Sequence, residues 1–253
     1  FSGLLRSAGM LETMNQVSHR ILHYEVLPDY GTVSLRFASE WIFDRLMEVA
    51  ANVLSDNLIA FICASTNQSL LATLRGHVFE RFAHAVIVRG GKFRVRRLVP
   101  SDSKERVVDE EIHIPPLSVV GFRKIEDIPS LIQAHLSVTN PARLYLHPSV
   151  PNFPFLDSLA LVPRLHVYQA TVGKKHPLKL EYFHELREQL EHVGIAKSDV
   201  VPLFILVPSD RYADKRTMEP YMTQRGTDAV LPPSNVVQFA LCVDLLPGMR
   251  LDV

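Results

Sequence analysis

The chain has 253 residues, 47% of them hydrophobic and 21% charged, and its formal net charge is zero. This composition supplies a sizeable core, enough for one large domain or for a domain with part of another. Balanced charge excludes a broad, sequence-independent attraction of the whole chain to nucleic acid, so any such contact must rest on a local basic surface.

Residues 1 to about 36 mix short helical and extended signals, including the β-like segments HYEVLPDY and TVSLRF. The opening Phe1-Ser2-Gly3-Leu4-Leu5 reads as mid-chain material, and we expect a piece of a longer protein. Ser39 is placed to cap a helix whose spacing runs through Trp41, Ile42, Leu46, Val49, Ala50 and Val53. The stretch Ser55–Asn57 is expected to end it. A second helix, from near Asn67, carries Leu71, Leu74, Val78, Phe82 and Ala85 as an apolar stripe. Gly76, Glu80 and His84 lie on an adjoining face at i, i+4 and i+8.

Arg89-Gly90-Gly91 stops that helix. GKFRVRRLVP alternates as a strand, with Lys92, Arg94 and Arg96 on one side and Phe93, Val95 and Arg97 on the other. RVVDEEIHIPP reads as an acidic strand, and Pro129 to Leu136 as a short helix. ARLYLHP, FLDSLALV and RLHVYQATV are three β-rich segments separated by proline-bearing turns. KLEYFHELREQLEHVG is helical through Phe183, Leu186 and Leu190, with Gly194 as its C-terminal cap. VPLFILVP suits a buried strand, residues 209 to 235 read as polar loop, and VVQFALCVDL supplies a last strand. The order is that of a mixed α/β protein.

Several functions lose their anchors. There is no Walker A loop, no G-x-G-x-x-G, no G-x-S-x-G and no H-E-x-x-H spacing. Cys63 and Cys242 sit in apolar runs and are expected to be buried, reduced thiols. No apolar run approaches the ~18 residues of a membrane span, and no signal peptide is recognisable. What remains is oxygen-donor chemistry. Asp157 lies in an otherwise apolar segment, where a carboxylate is costly without a partner or a metal, unless it stands at a strand edge, solvated or capping a turn. Gln169 and Thr171 are two apart and share a strand face. A Gln carbonyl can orient a water but brings no negative charge, and a Thr cannot replace a lysine beside a developing oxyanion. Lys174, Lys175 and Lys179 follow closely and one of them can supply that charge, unless all three line a solvated turn. Glu80, neighboured by Arg75, His77, Arg81 and His84, admits both a salt bridge and a metal ligand. The strand Lys92, Arg94, Arg96 admits both a solvated face and a phosphate track.

RGHVFERFAHAVIVRGGKFRVRRL, NFPFLDSLALV, LHVYQATVGKKHPLK, PLFILVP and VVQFALCVDL, in this order, resemble the conserved segments of Crinkler and retrotransposon-hot-spot (RHS) type proteins. The resemblance covers roughly residues 65 to 245. It implies an α/β fold, a restriction-endonuclease-like mixed sheet flanked by helices and preceded by a small helical segment. Residues 65–253 would form that domain and residues 1–64 the tail of an upstream P-loop ATPase domain or a linker. It further implies a PD-(D/E)xK site in which Glu80 and Asp157 hold Mg2+ or Mn2+. Gln169 would replace the second acid as a ligand, Thr171 would stand at the lysine position, and Lys174 or Lys179 would take over its charge. Lys92, Arg94, Arg96, Lys175 and His176 would contact DNA. The same resemblance implies a secreted effector that would act in a host nucleus, with host proteins as further partners and no membrane span. The alternative is a catalytically inactive fold of this kind that binds nucleic acid or a host protein. The departure from E-x-K separates the two, since each lost charge weakens metal binding.

Overall fold

The computed structural model describes residues 21–26, 28–31, 33–39, 41–43, 45–47, 55–66, 68–137, 143–150, 153, 156–162, 164–174, 176–195, 199–222, 229–230 and 235–245. The chain divides into two compact units, Phe1–Val86 with Asp244–Val253, and Ile87–Val243. The division falls inside a helix, after Val86.

In the first unit the two β-like segments become an antiparallel hairpin, β1 (Leu22–Val26) with β2 (Val33–Phe37), Leu22 opposite Phe37. Residues 41–43 and 45–47 are helical, and the Ser39 hydroxyl accepts a hydrogen bond from Ile42 N at 3.2 Å, the cap expected there. The expected continuation through Val49, Ala50 and Val53 lies outside the described residues. Ser55–Asn57 does not end a helix but begins one, α1 (Ser55–Ala64). Ser, Asp and Asn serve a helix start as readily as a loop, because their side-chain oxygens suit the unpaired N–H groups of a first turn. Ile59, Phe61 and Ile62 then bury its apolar side. Cys242 is buried as expected, whereas Cys63 is exposed.

The long helix α2 (Ala72–Arg89) follows a 3-10 turn at Ser69–Leu71. Leu74, Val78 and Phe82 are buried, joined by Phe79 and Ala83. Arg75 is 2% exposed and donates Nε to Ile62 O at 2.8 Å, tying α2 to the end of α1. The helix stops because Gly90 takes φ +75°, a backbone conformation that costs glycine nothing. A Cβ there would lie 2.6 Å from the Ile114 carbonyl oxygen, so the close approach also requires glycine.

The second unit is built on a mixed eight-stranded sheet, in the order β4 (Asp109–Ile114), β3 (Gly91–Arg97), β13 (Val236–Val243), β10 (Val201–Pro208), β8 (Arg164–Ala170), β7 (Ser158–Val162), β6 (Leu144–Pro148) and β5 (Ser118–Phe122). VPLFILVP is its central strand, β10, parallel to both β8 and β13. A strand with a neighbour on each side and side chains buried on both faces is apolar throughout, which is why its sequence does not alternate. Helices α3 (Ile128–Leu136) and α4 (Leu180–Glu191) place Ile128, Ile132, Phe183, Leu186 and Leu190 in one core with Leu146, Leu159, Val167, Leu203 and Ile205 of the sheet. Gly194, at φ +82°, follows the C-terminus of α4, as its expected capping role requires.

Two features differ from the expectation. β5 pairs in parallel with β6 at the sheet edge, where its SVVGF segment carries too short a pattern to stand out. The stretch read as loop between residues 209 and 235 holds a single helical turn, α5 (Ser209–Tyr212), and the short strands β11 (Tyr221–Met222) and β12 (Ala229–Val230). These join β9 (Leu178–Lys179) in a small three-stranded sheet. Among the described residues no helix is long and apolar enough to cross a membrane.

Candidate metal centre

Asp157 lies one residue before β7, at the edge of the strand rather than inside it. The antiparallel register puts Ser158 opposite Tyr168, and so brings Asp157 beside Gln169. Its backbone N donates to Tyr168 O at 3.2 Å, continuing the ladder by one bond. The half-buried carboxylate accepts two hydrogen bonds: from Gln169 Nε2 at 2.8 Å and from Ala170 N at 2.5 Å. Both donors are neutral, so they orient and stabilise the anion without cancelling its charge. Gln169 is 6% exposed and aligned with Ile205 of β10, which fixes it between two strands. Its observed role is to hold Asp157. As a metal ligand it would act through its carbonyl oxygen, not the nitrogen used in this bond.

Thr171 stands just past β8 and is buried, with its N donating to Leu206 O at 2.9 Å. Its hydroxyl accepts from Gly173 N at 3.0 Å, closing a turn. The chain then presents Lys174 to solvent. Lys175 lies outside the described residues. His176 is half-buried; its N donates to Glu219 Oε2 at 2.8 Å. Burial pushes the His176 imidazole below its ordinary pKa, with the nearby Glu219 carboxylate opposing and Lys215 adding to the effect. Lys179, exposed at the start of α4, has its ammonium 5.7 Å from the Tyr182 ring.

Glu80 is half-buried on α2, and His84 follows one turn later with 6% exposure. An i, i+4 pair shares a helix face, so both side chains can serve one ligand. His84 stands on that face in the sequence as well, but a single imidazole carries no ligand motif of its own.

The basic strand has the alternation expected of it, but two of its cations, Lys92 and Arg96, are matched by acids. Lys92 Nζ is 3.0 Å from Glu111, and Arg96 Nε is 2.6 Å from Asp109, both acids on β4. Arg96 also donates to the carbonyls of Tyr212 and Ala213 at 3.1 and 3.2 Å, and its guanidinium lies 4.6 Å from the Tyr212 ring centre. The shared hydrogen bond raises the Arg96 pKa and lowers that of Asp109. Arg94 is exposed and donates to Cys242 Sγ at 3.2 Å. The acidic composition of β4 is therefore the complement of β3 across the sheet edge.

In comparisons with known proteins, the chain matches no family model, no curated protein and no solved structure.

Proposed function

We propose that this chain carries a divalent-metal-dependent nuclease of restriction-endonuclease-like type, of the Crinkler/RHS kind, acting on DNA. Glu80, His84 and Asp157 would supply one ligand atom each. The observation that carries this reading is the half-buried Asp157 carboxylate, held in one orientation by Gln169 Nε2 at 2.8 Å and Ala170 N at 2.5 Å. Two carboxylates with one imidazole fit Mn2+ as well as Mg2+, because an imidazole suits transition metals better than magnesium. When bound, such an ion supplies Lewis-acid stabilisation of phosphate oxygens and lowers the pKa of water.

The protein's own contributions follow from the strand ends. Gln169 and the Ala170 N–H hold the Asp157 carboxylate in one orientation, as a metal-ligand support must. Lys174 and Lys179, both exposed, bring positive charge to the segment after β8, where negative charge would build on a phosphoryl group. By the same resemblance the domain would follow an upstream ATPase and serve as a secreted effector in a host nucleus.

The test is calorimetry with MnCl2 and MgCl2, alongside cleavage of plasmid DNA. Binding and cutting should both vanish in Asp157→Ala and fall steeply in Glu80→Ala and His84→Ala. Cutting that persists in the Asp157 and Glu80 variants would remove them from the mechanism. A second reading, a non-catalytic binding module, is favoured by Thr171, whose hydroxyl serves a turn and brings no charge. It expects no heat of metal binding and no cleavage.

A further inference from the structure

The segment between α5 and β11 contains a buried ion pair that the metal-centre reading does not use. Lys215 and Glu219 have side chains 7% and 1% exposed, and Lys215 Nζ donates to Glu219 Oε1. Each partner also holds the backbone of the turn that follows β8. Lys215 Nζ donates to Lys174 O at 3.1 Å, and Glu219 Oε2 accepts from His176 N at 2.8 Å.

The pair is itself anchored to the middle of the sheet. Glu219 N donates to Gln238 Oε1 at 2.7 Å, and Gln238 Nε2 donates to Glu219 O at 3.1 Å. Gln238, 0% exposed, is on β13 opposite Leu203 of β10, which is in turn opposite Val167 of β8. The flanking backbone is pinned as well: Val99 N donates to Arg216 O at 3.1 Å and Met218 N to Val99 O at 3.0 Å. A polar path therefore leads from the centre of the sheet back to the turn at the end of the strand carrying Gln169.

Stability does not explain such a pair. Taking two charges out of water costs several kcal/mol each, and apolar replacements of both partners are often neutral or stabilising. What apolar side chains cannot do is donate to Lys174 O and accept from His176 N. We infer that Lys215 and Glu219 are positioning residues, which hold the turn bearing Lys174 in register with the Asp157–Gln169 strand ends. The catalytic part of this inference rests on the nuclease reading; the structural part does not.

The experiment uses the full chain with Lys215→Met/Glu219→Leu, which leaves no unpaired buried charge, and Lys215→Arg as the conservative variant. Three readouts are taken: thermal melting, amide exchange at His176, and kcat and KM for DNA with MnCl2. The double variant should melt within a few degrees of the unaltered chain, exchange its His176 amide at least tenfold faster, and lose about tenfold or more in kcat with KM changed less than threefold. Lys215→Arg, which keeps a donor and the charge, should restore most of the protection and the rate. Unchanged exchange at His176 overturns the clamp. Faster exchange with an unchanged kcat overturns the positioning role. If the unaltered chain neither binds metal nor cuts, the nuclease reading fails, and with it the catalytic role, while amide exchange still decides whether the pair holds the turn.

Discussion

Two strand pairs in the second unit handle charge in opposite ways. At the sheet edge, the cations of β3 face the acids of β4, and Lys92–Glu111 and Arg96–Asp109 compensate one another across the ladder. At the junction of β7 and β8, the Asp157 carboxylate is met by a primary amide and a peptide N–H, both neutral donors that orient it. Opposite charges across a ladder settle electrostatics within the fold. Neutral donors orient an anion without bringing an opposite charge of their own. The same residue types, strand-borne acids, thus end as structural partners in one place and as a candidate ligand in the other.

The largest effect that would sharpen this contrast is at Asp157 itself. Asp157→Ala should abolish metal binding by calorimetry, whereas Glu111→Ala on β4 should leave it unchanged. Next comes the supporting amide. Gln169→Ala should weaken metal affinity on the order of 10- to 100-fold, the usual cost of losing a group that orients a ligand. Gln169→Glu should act in the opposite direction, tightening Mn2+ binding about tenfold while lowering the melting temperature of the metal-free chain, because two carboxylates would then share one contact. A metal-free Gln169→Glu variant as stable as the parent would break the comparison.

A smaller effect concerns DNA. If the paired cations of β3 are already compensated, Lys92→Ala should change DNA affinity less than twofold. Lys174→Ala/Lys179→Ala should lower the slope of log affinity against log salt by about two. The reverse pattern would return the nucleic-acid contact to β3. The smallest effect is the acid limb of the Arg96–Asp109 pair. Its folded-state pKa lies below the unfolded value because Arg96 bonds the carboxylate. Above about pH 4 both states are ionised and the pair contributes fully; as pH falls the unfolded chain protonates first and the contribution drains away. With Asp109 42% exposed, solvent screening holds it to roughly 1 kcal/mol or less. Melting curves of Asp109→Asn against the parent between pH 2.5 and 6 should converge at the acid end.

Much of the fold was legible because burial on one side imposes a period. The stripe of α2, the alternation of β3 and the unbroken apolar run of β10 each report a local relation between chain and core. The glycine stop after Arg89 was legible for a related reason, a backbone conformation that one residue type adopts freely. What misled was composition without context. Ser55–Asn57 suits the start of a helix as well as a loop, and the polar stretch after Ser209 hides short strands and a buried ion pair. The candidate site was half legible: Asp157 and Gln169 stand out as residue types, but neither the bond from Gln169 to Asp157 nor the turn closed by Thr171 could be read.

The sequence by itself determined the α/β class, the order of most elements and the residue types able to bind a hard cation, since these depend on neighbours along the chain. Tertiary structure alone decided the partners: which acid meets Arg96, which amide meets Asp157, and which lysine reaches back to the carbonyl of Lys174. The reason is physical. A hydrogen bond between strands depends on register, and register is set by the packing of the whole sheet, which no local pattern records.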